Sequence, residues 1–229
     1  MATSDSTTFD LNIDDIIQEA YERCGKRTNS GYDLKSARRS LNILFSEWGN
    51  RGVHLWKVEL KEQLLTAGTS TYTAPTNAND ILEAYISTTT GTTSATNDVS
   101  LTKISRSEYA ALPNKGSTGQ PSQYYVDRQT IPQITLYQTP DASTYTYLKY
   151  YYLKRIEDAG AYTNTADVVF RFIPCMVAGL SYYLSMKYNP QVVQQNKLIY
   201  EDELQRALVE DGQRTSVYIT PQSYYPTGL

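Results

Sequence analysis

The residue types that carry catalysis occur in this chain, but not at the spacings a reaction needs. The single histidine, His54, stands beside Leu55 and Trp56 with no serine, cysteine or carboxylate around it in a nucleophile or metal pattern. Packing or a surface hydrogen bond is its expected role. Gly25-Lys26 ends like a phosphate-binding loop, yet Ala20 stands where the first glycine of that loop belongs and Arg27 where its hydroxyl belongs, so the motif is absent. Gly116-Ser117-Thr118-Gly119 offers amides to an anion, but Pro113 and Pro121 around it favour an ordinary surface turn. In Asp14-Asp15 and Glu201-Asp202-Glu203 a helix points neighbours to different sides, which makes solvated faces rather than acid–base pairs. Cys24 and Cys175 lie in separate apolar stretches and read as small buried thiols. No catalytic residue, metal ligand or cofactor site is expected, and the chain does not read as an enzyme; a hydrolase is the weakest of the readings considered.

The strongest ligand-binding pattern is aromatic. Tyr147, Tyr150, Tyr151 and Tyr152, with Lys149, Lys154 and Arg155, suit stacking on a single nucleic-acid strand. Alternation along a strand would split these tyrosines between two faces. A net charge of -3 also opposes a grip driven by counterion release. A nucleic-acid-binding module using these Tyr- and Lys-rich strands is therefore the alternative reading, behind a sheet core on one face and a subunit contact on the other. Twenty-one tyrosines against four phenylalanines supply apolar area with a polar tip, which suits surfaces buried in part or on assembly.

Two helices, a run of strands and two more helices must position these residues. Ile13, Ile16, Ile17, Ala20, Tyr21 and Cys24 follow one helical face, with Asn12 or Asp10 as cap and Gly25 as stop. Asp33 is a cap for a second helix with the stripe Leu34, Ala37, Leu41, Leu44, Phe45 and Trp48. From Val58 to about Arg155 the period becomes two, with strands expected at 58–65, 70–74, 81–87, 101–104, 123–127, 133–138 and 145–153. A short helix over 105–112 has Ser105 as cap and Glu108 completing a capping box. The Thr-, Ser- and Gly-rich segment 88–97 reads most simply as a long solvated hairpin loop, with a contact arm in an assembly as the alternative. A third helix over 166–188 is apolar on most sides, but Arg171, Pro174, Gly179 and Ser181 break it short of the ~20 apolar residues of a membrane span. A fourth runs from Pro190 to about Arg214 with a strongly acidic outer face.

The expected fold is α+β: a four-helix bundle with an inserted, mainly antiparallel β region and an extended C-terminal tail. Its parts are a first helical pair (1–57), the β-rich insertion (58–155), a second helical pair (156–214) and the tail (215–229). The junction at the end of the second helix depends on Phe45, Trp48 and Trp56, with Gly49 or Gly52 as the helix stop. The polar N-terminal residues lack the apolar stretch of a signal peptide, so synthesis in the cytoplasm is expected.

The run Glu47-Trp48-Gly49-Asn50-Arg51-Gly52-Val53-His54-Leu55-Trp56, followed by a hairpin at 67–75, resembles the head-to-tail adaptors of tailed bacteriophages, the head-completion or tail tubular protein A-like proteins. Leu82-Glu83-Ala84-Tyr85-Ile86 and the stretches 113–121, 123–129, 155–160 and 166–184 share the resemblance in order and spacing. It implies a structural virion protein of the head-to-tail neck, self-associated into a ring, commonly a dodecamer. Such a ring binds the portal protein, carries tail nozzle or fibre proteins, and passes DNA through its lumen without specific binding or any membrane contact. Arg214, Val217, Tyr218, Ile219, Tyr224 and Tyr225 have no periodic partner in the helices and are the portal-docking candidates.

Overall fold

A computed structural model of the chain describes residues 11–27, 30–51, 55–91 and 97–211. α1 (Ile13–Arg23) buries Ile13, Ile16, Ile17, Ala20 and Tyr21, the face its spacing demands. Asp15 reaches back to the Asn12 amide at 3.3 Å, and Gly25 follows the helix at φ +71°, a conformation that glycine adopts without strain. In α2 (Gly31–Asn50) the cap is Ser30, whose hydroxyl accepts from the Asp33 amide, rather than Asp33 itself. Asp33 is instead held by Lys26 at 3.0 Å.

Two four-stranded sheets follow. The first has the order β1 (Val58–Leu64), β10 (Tyr147–Lys154), β3 (Ala78–Ser87), β4 (Asp98–Ser100). The second has the order β2 (Thr71–Thr73), β8 (Gln133–Tyr137), β7 (Gln123–Asp127), β5 (Thr102–Ile104). Pairing is antiparallel except between β5 and β7 and in the small pair β6 (Thr118–Gly119) and β9 (Thr139–Pro140). The inner faces of both sheets contribute Tyr72, Ile81, Ile86, Tyr124, Ile134, Leu148 and Tyr150 to one core. Residues 67–75 do not form the expected hairpin. β2 pairs with β8, not with β1, so the turn around Gly68 (φ +79°) carries the chain from one sheet into the other. The short α3 (Arg106–Ala111) has the expected Ser105 cap and the reciprocal Glu108 contact.

The chain returns to the helices through 155–172, pinned on α2 by Arg38 to the Gly160 carbonyl and by the Ala159 amide to Asn42. α4 (Ile173–Tyr188) and α5 (Val193–Asp211) complete a second core with Ile16, Leu41, Trp48, Phe172, Leu180 and Tyr200. This arrangement overturns the expected four-helix bundle. Five helices and ten strands make an α+β fold among the described residues, and only α4 and α5 are long helices after the sheets. α4 packs against α1, α2 and α5 as a central helix. The reason is physical: α4 is apolar on nearly every side and so can be surrounded. α1, at 11 residues, is about 16 Å long and too short to form one wall of a bundle. The extended tail lies outside the described residues.

Tyrosine has more interior work than its polar tip suggested. Tyr21, Tyr72, Tyr124 and Tyr152 are buried, with their hydroxyls donating to Asp33 O, Thr69 O, Leu82 O and Glu59 respectively. Each ring fills a core while its hydroxyl satisfies a neighbouring acceptor.

Candidate functional site

The last turn of α2 presents Glu47, Trp48 and Arg51 on the side facing α4 and α5, because residues three and four apart share a helix face. Trp48 is fully buried between Phe45 and Phe172, with ring centroids 5.9 and 5.7 Å away. Its indole N–H donates to the Tyr200 hydroxyl on α5 at 3.0 Å. That hydroxyl donates to Glu47 at 3.3 Å, and Tyr183 of α4 donates to the same carboxylate oxygen at 2.9 Å. Arg51 pairs with Glu47 at 2.6 Å and makes a forked contact with both carboxylate oxygens of Glu201, at 2.7 and 2.9 Å. Such two-pronged guanidinium–carboxylate bonds fix direction as well as distance. Trp56, half-buried, packs at a tilt against Phe172, ring centroids 4.7 Å apart, and places β1 immediately beyond the helical core.

The charge states follow. The hydrogen bonds from Arg51 hold the Glu201 carboxyl below its ordinary range. Burial, then the hydrogen bond to Glu47, pushes the Tyr183 hydroxyl up to about 12. Burial likewise raises Tyr200 and takes the Cys175 thiol up to about 12, so that thiol is inert at neutral pH. The junction is thus a lock made of neutral phenols, an ion-paired arginine and packed rings.

The other candidates are placed as follows. On β10, Tyr150 and Tyr152 lie in the sheet core, and only Tyr151 is open, at 36% exposure. Lys149 is buried, with its ammonium donating to Asp98 at 3.1 Å and to the Gly91 carbonyl. Lys154 pairs with Glu59 and Glu157, and Arg155 donates to Thr130 O. A base would find neither a row of open rings nor free cations there. Glu62 accepts from the Gly91 amide, so Lys149 and Glu62 tie the 88–91 end of the presumed solvated loop to the sheet. The acidic face of α5 is largely neutralised: Glu201 by Arg51, Asp202 and Glu203 by Arg206, and Asp211 by Arg171. Cys24 and Cys175 are free and buried. Among the described residues no cluster of ligating side chains could hold a metal ion, and no helix is long and apolar enough to cross a membrane. Arg214, Val217, Tyr218, Ile219, Tyr224, Tyr225 and His54 lie outside the described residues.

The family model for the SU10 adaptor protein matches residues 3–223 of the chain. The chain belongs to that family. The resemblance to phage head-to-tail adaptors is thereby borne out, and this adaptor is a structural component of the virion that associates with other parts of the phage. No curated protein matches the chain. What the sequence hid at the adaptor's junction is the far side of the lock. Tyr183, Tyr200 and Glu201 lie 136 to 153 positions from their Glu47, Trp48 and Arg51 partners. The only local signal was the four-residue spacing of Glu47 and Arg51.

Proposed function

We propose that this adaptor forms a ring that joins the portal to the tail and extends the DNA channel. The match to an adaptor family over nearly the whole chain carries this reading. The ring is a dodecamer, with the portal on one side and nozzle or fibre proteins on the other. Arg214, Val217, Tyr218, Ile219, Tyr224 and Tyr225 dock the portal, and Pro221 and Pro226 lower the entropy lost on docking by stiffening the free segment. Because the carboxylates of α5 are mostly paired, weak repulsion of packaged DNA comes from the net charge of -3 repeated in every copy, not from an acidic stripe. Docking on the portal aligns neighbours, so the free protein is a monomer.

The test is direct. Negative-stain images of the adaptor mixed with its portal should display a ring beneath the portal, while sedimentation of the adaptor alone should give a monomer. A chain ending after Gln213 should keep its far-ultraviolet dichroism and lose portal binding. No complex with the intact chain would sink the neck assignment. A stable ring without portal would sink only the templated assembly.

A further inference from the structure

Among the described residues the first sheet has one long side with no partner. β4 covers β3 over Tyr85–Ser87, and the carbonyls of Ala84, Leu82 and Ile81 are also taken. Leu101 N donates to Ala84 O, the Tyr124 hydroxyl to Leu82 O and the Lys103 ammonium to Ile81 O. At the opposite side β1 runs for seven residues and, among the described residues, pairs only with β10. Leu65 N donates to Thr146 O, and Ala84, opposite Tyr150, turns its carbonyl away from β10. Both observations set the alternation: Glu59, Lys61 and Gln63 direct their backbone groups to β10, while Val58, Leu60, Glu62 and Leu64 direct theirs outward. Among the described residues these outward amides and carbonyls have no hydrogen-bond partner. The other terminal strands, β2, β4 and β5, are three residues each, too short to accept much.

What can cover that edge begins nearby. α5 ends at Asp211, which accepts from Arg171 Nε at 2.9 Å. The next residue, Phe172, lies against Trp56, two residues before β1. The chain therefore leaves α5 beside the start of β1, and the four steps from Asp211 to Thr215 span at most about 14 Å. Thr215-Ser216-Val217-Tyr218-Ile219-Thr220 is the densest β-branched and aromatic run of the remaining sequence, and Pro221 ends it. Its six residues match the seven of β1. With Ile219 opposite Leu64, which is 60% exposed on the outer face of the sheet, Val217 would face Glu62 and reach Leu60 on the diagonal.

We infer that residues 215–220 add to the free edge of β1 in their own subunit, parallel to it, as a fifth strand of the first sheet. This goes beyond the portal reading and does not depend on it. In this arrangement Val217 and Ile219 pack on β1 rather than on the portal, while Tyr218 on the opposite face and everything beyond Pro221 stay available for docking. The charged inner positions Glu59 and Lys61 discourage an unrelated strand from taking the edge.

Amide exchange followed by NMR on the full-length free chain tests this. The outward amides of Leu60, Glu62 and Leu64 should exchange at least about tenfold more slowly than exposed amides. Val217→Pro and Tyr218→Pro sample both halves of the alternation, and at least one should strip that protection while the amides of Glu59, Lys61 and Gln63 keep theirs. A bifunctional maleimide on Leu64→Cys/Ile219→Cys should give a cross-linked monomer, the two native thiols being buried. Outward amides that exchange freely in the intact chain would overturn the inference. A cross-linked dimer would overturn its own-subunit form.

Discussion

Replacing Trp48 by alanine tests whether the junction holds the helical core together. The indole is fully buried, touches Phe45 and Phe172, and donates to Tyr200. An enclosed aromatic side chain removes roughly 150–250 Å² from water, worth about 4–6 kcal/mol at ~25 cal/mol per Å². Alanine keeps a small part of that area, and collapse around the vacancy recovers more, so about 3–5 kcal/mol should be lost. For a chain of this size each kcal/mol moves the melting point by roughly 2–4 °C, so the drop should be roughly 6–20 °C. Thermal melts followed by circular dichroism give the shift. The fluorescence of Trp56, then the only remaining tryptophan, reports whether the neighbouring contact with Phe172 survives. Tyr200→Phe isolates the polar part: it leaves the Trp48 N–H buried without an acceptor, at a cost of about 1–3 kcal/mol. A melting point within about 1 °C of the parent for Trp48→Ala would refute the reasoning, since a side chain so placed cannot be removed silently.

Other outcomes can be read with the same purified protein. Glu201 is held below its ordinary carboxylate range by Arg51, so its contribution is present above the unfolded value of about 4.3 and is lost as pH falls through the lower folded value; Glu201→Gln should flatten the melting-point decline on the acid side, and an unchanged acid limb would contradict it. A methyl group at Gly179 would meet both Leu44 methyls at 2.8 and 2.9 Å and the Tyr200 ring at 2.9 Å, so Gly179→Ala should cost about 1–3 kcal/mol in a urea titration; a neutral result would mean that α2 and α5 can separate freely from α4. Lys149→Met removes the ammonium that holds both Gly91 and Asp98, and limited proteolysis should then cut within 88–98 several times faster, while an unchanged rate would show that the sheet alone holds these ends.

Periodic segments were legible where one face was buried by near neighbours. The apolar spacing of α1 and α2, the capping box of α3 and the two-residue alternation of β7 and β8 all appear as the residues imply. Arrangement was less legible. Which strand pairs with which is decided by contacts far apart in sequence, so the 67–75 turn looked like a hairpin when it crosses between sheets. The bundle was inferred from four helical patterns, but the pattern of α4 states only that it is buried on all sides, not that it is central. Acidic residues on α5 were read as a face because the arginines that neutralise two of them, Arg51 and Arg171, belong to other elements. At the junction, Trp48 and Phe45 announced a packed site, while its hydrogen-bonding half came from helices past the sheets.

The pairing of β1 with β10, the last of the described strands, sets a timetable for the subunit during synthesis. β1 has no strand partner until β10 has been made, and Trp48 waits 152 residues for the hydroxyl of Tyr200. At roughly 5–20 residues per second, that interval lasts about 8–30 s on the ribosome. Each closure encloses a long stretch of chain, and the one that locks the helices encloses the one that closes the sheets, so the sandwich can form first and the lock last. A nascent chain stopped before α5 would therefore leave the Trp48 side of α2 exposed, and an adaptor cannot present its finished junction until almost its entire length has been translated.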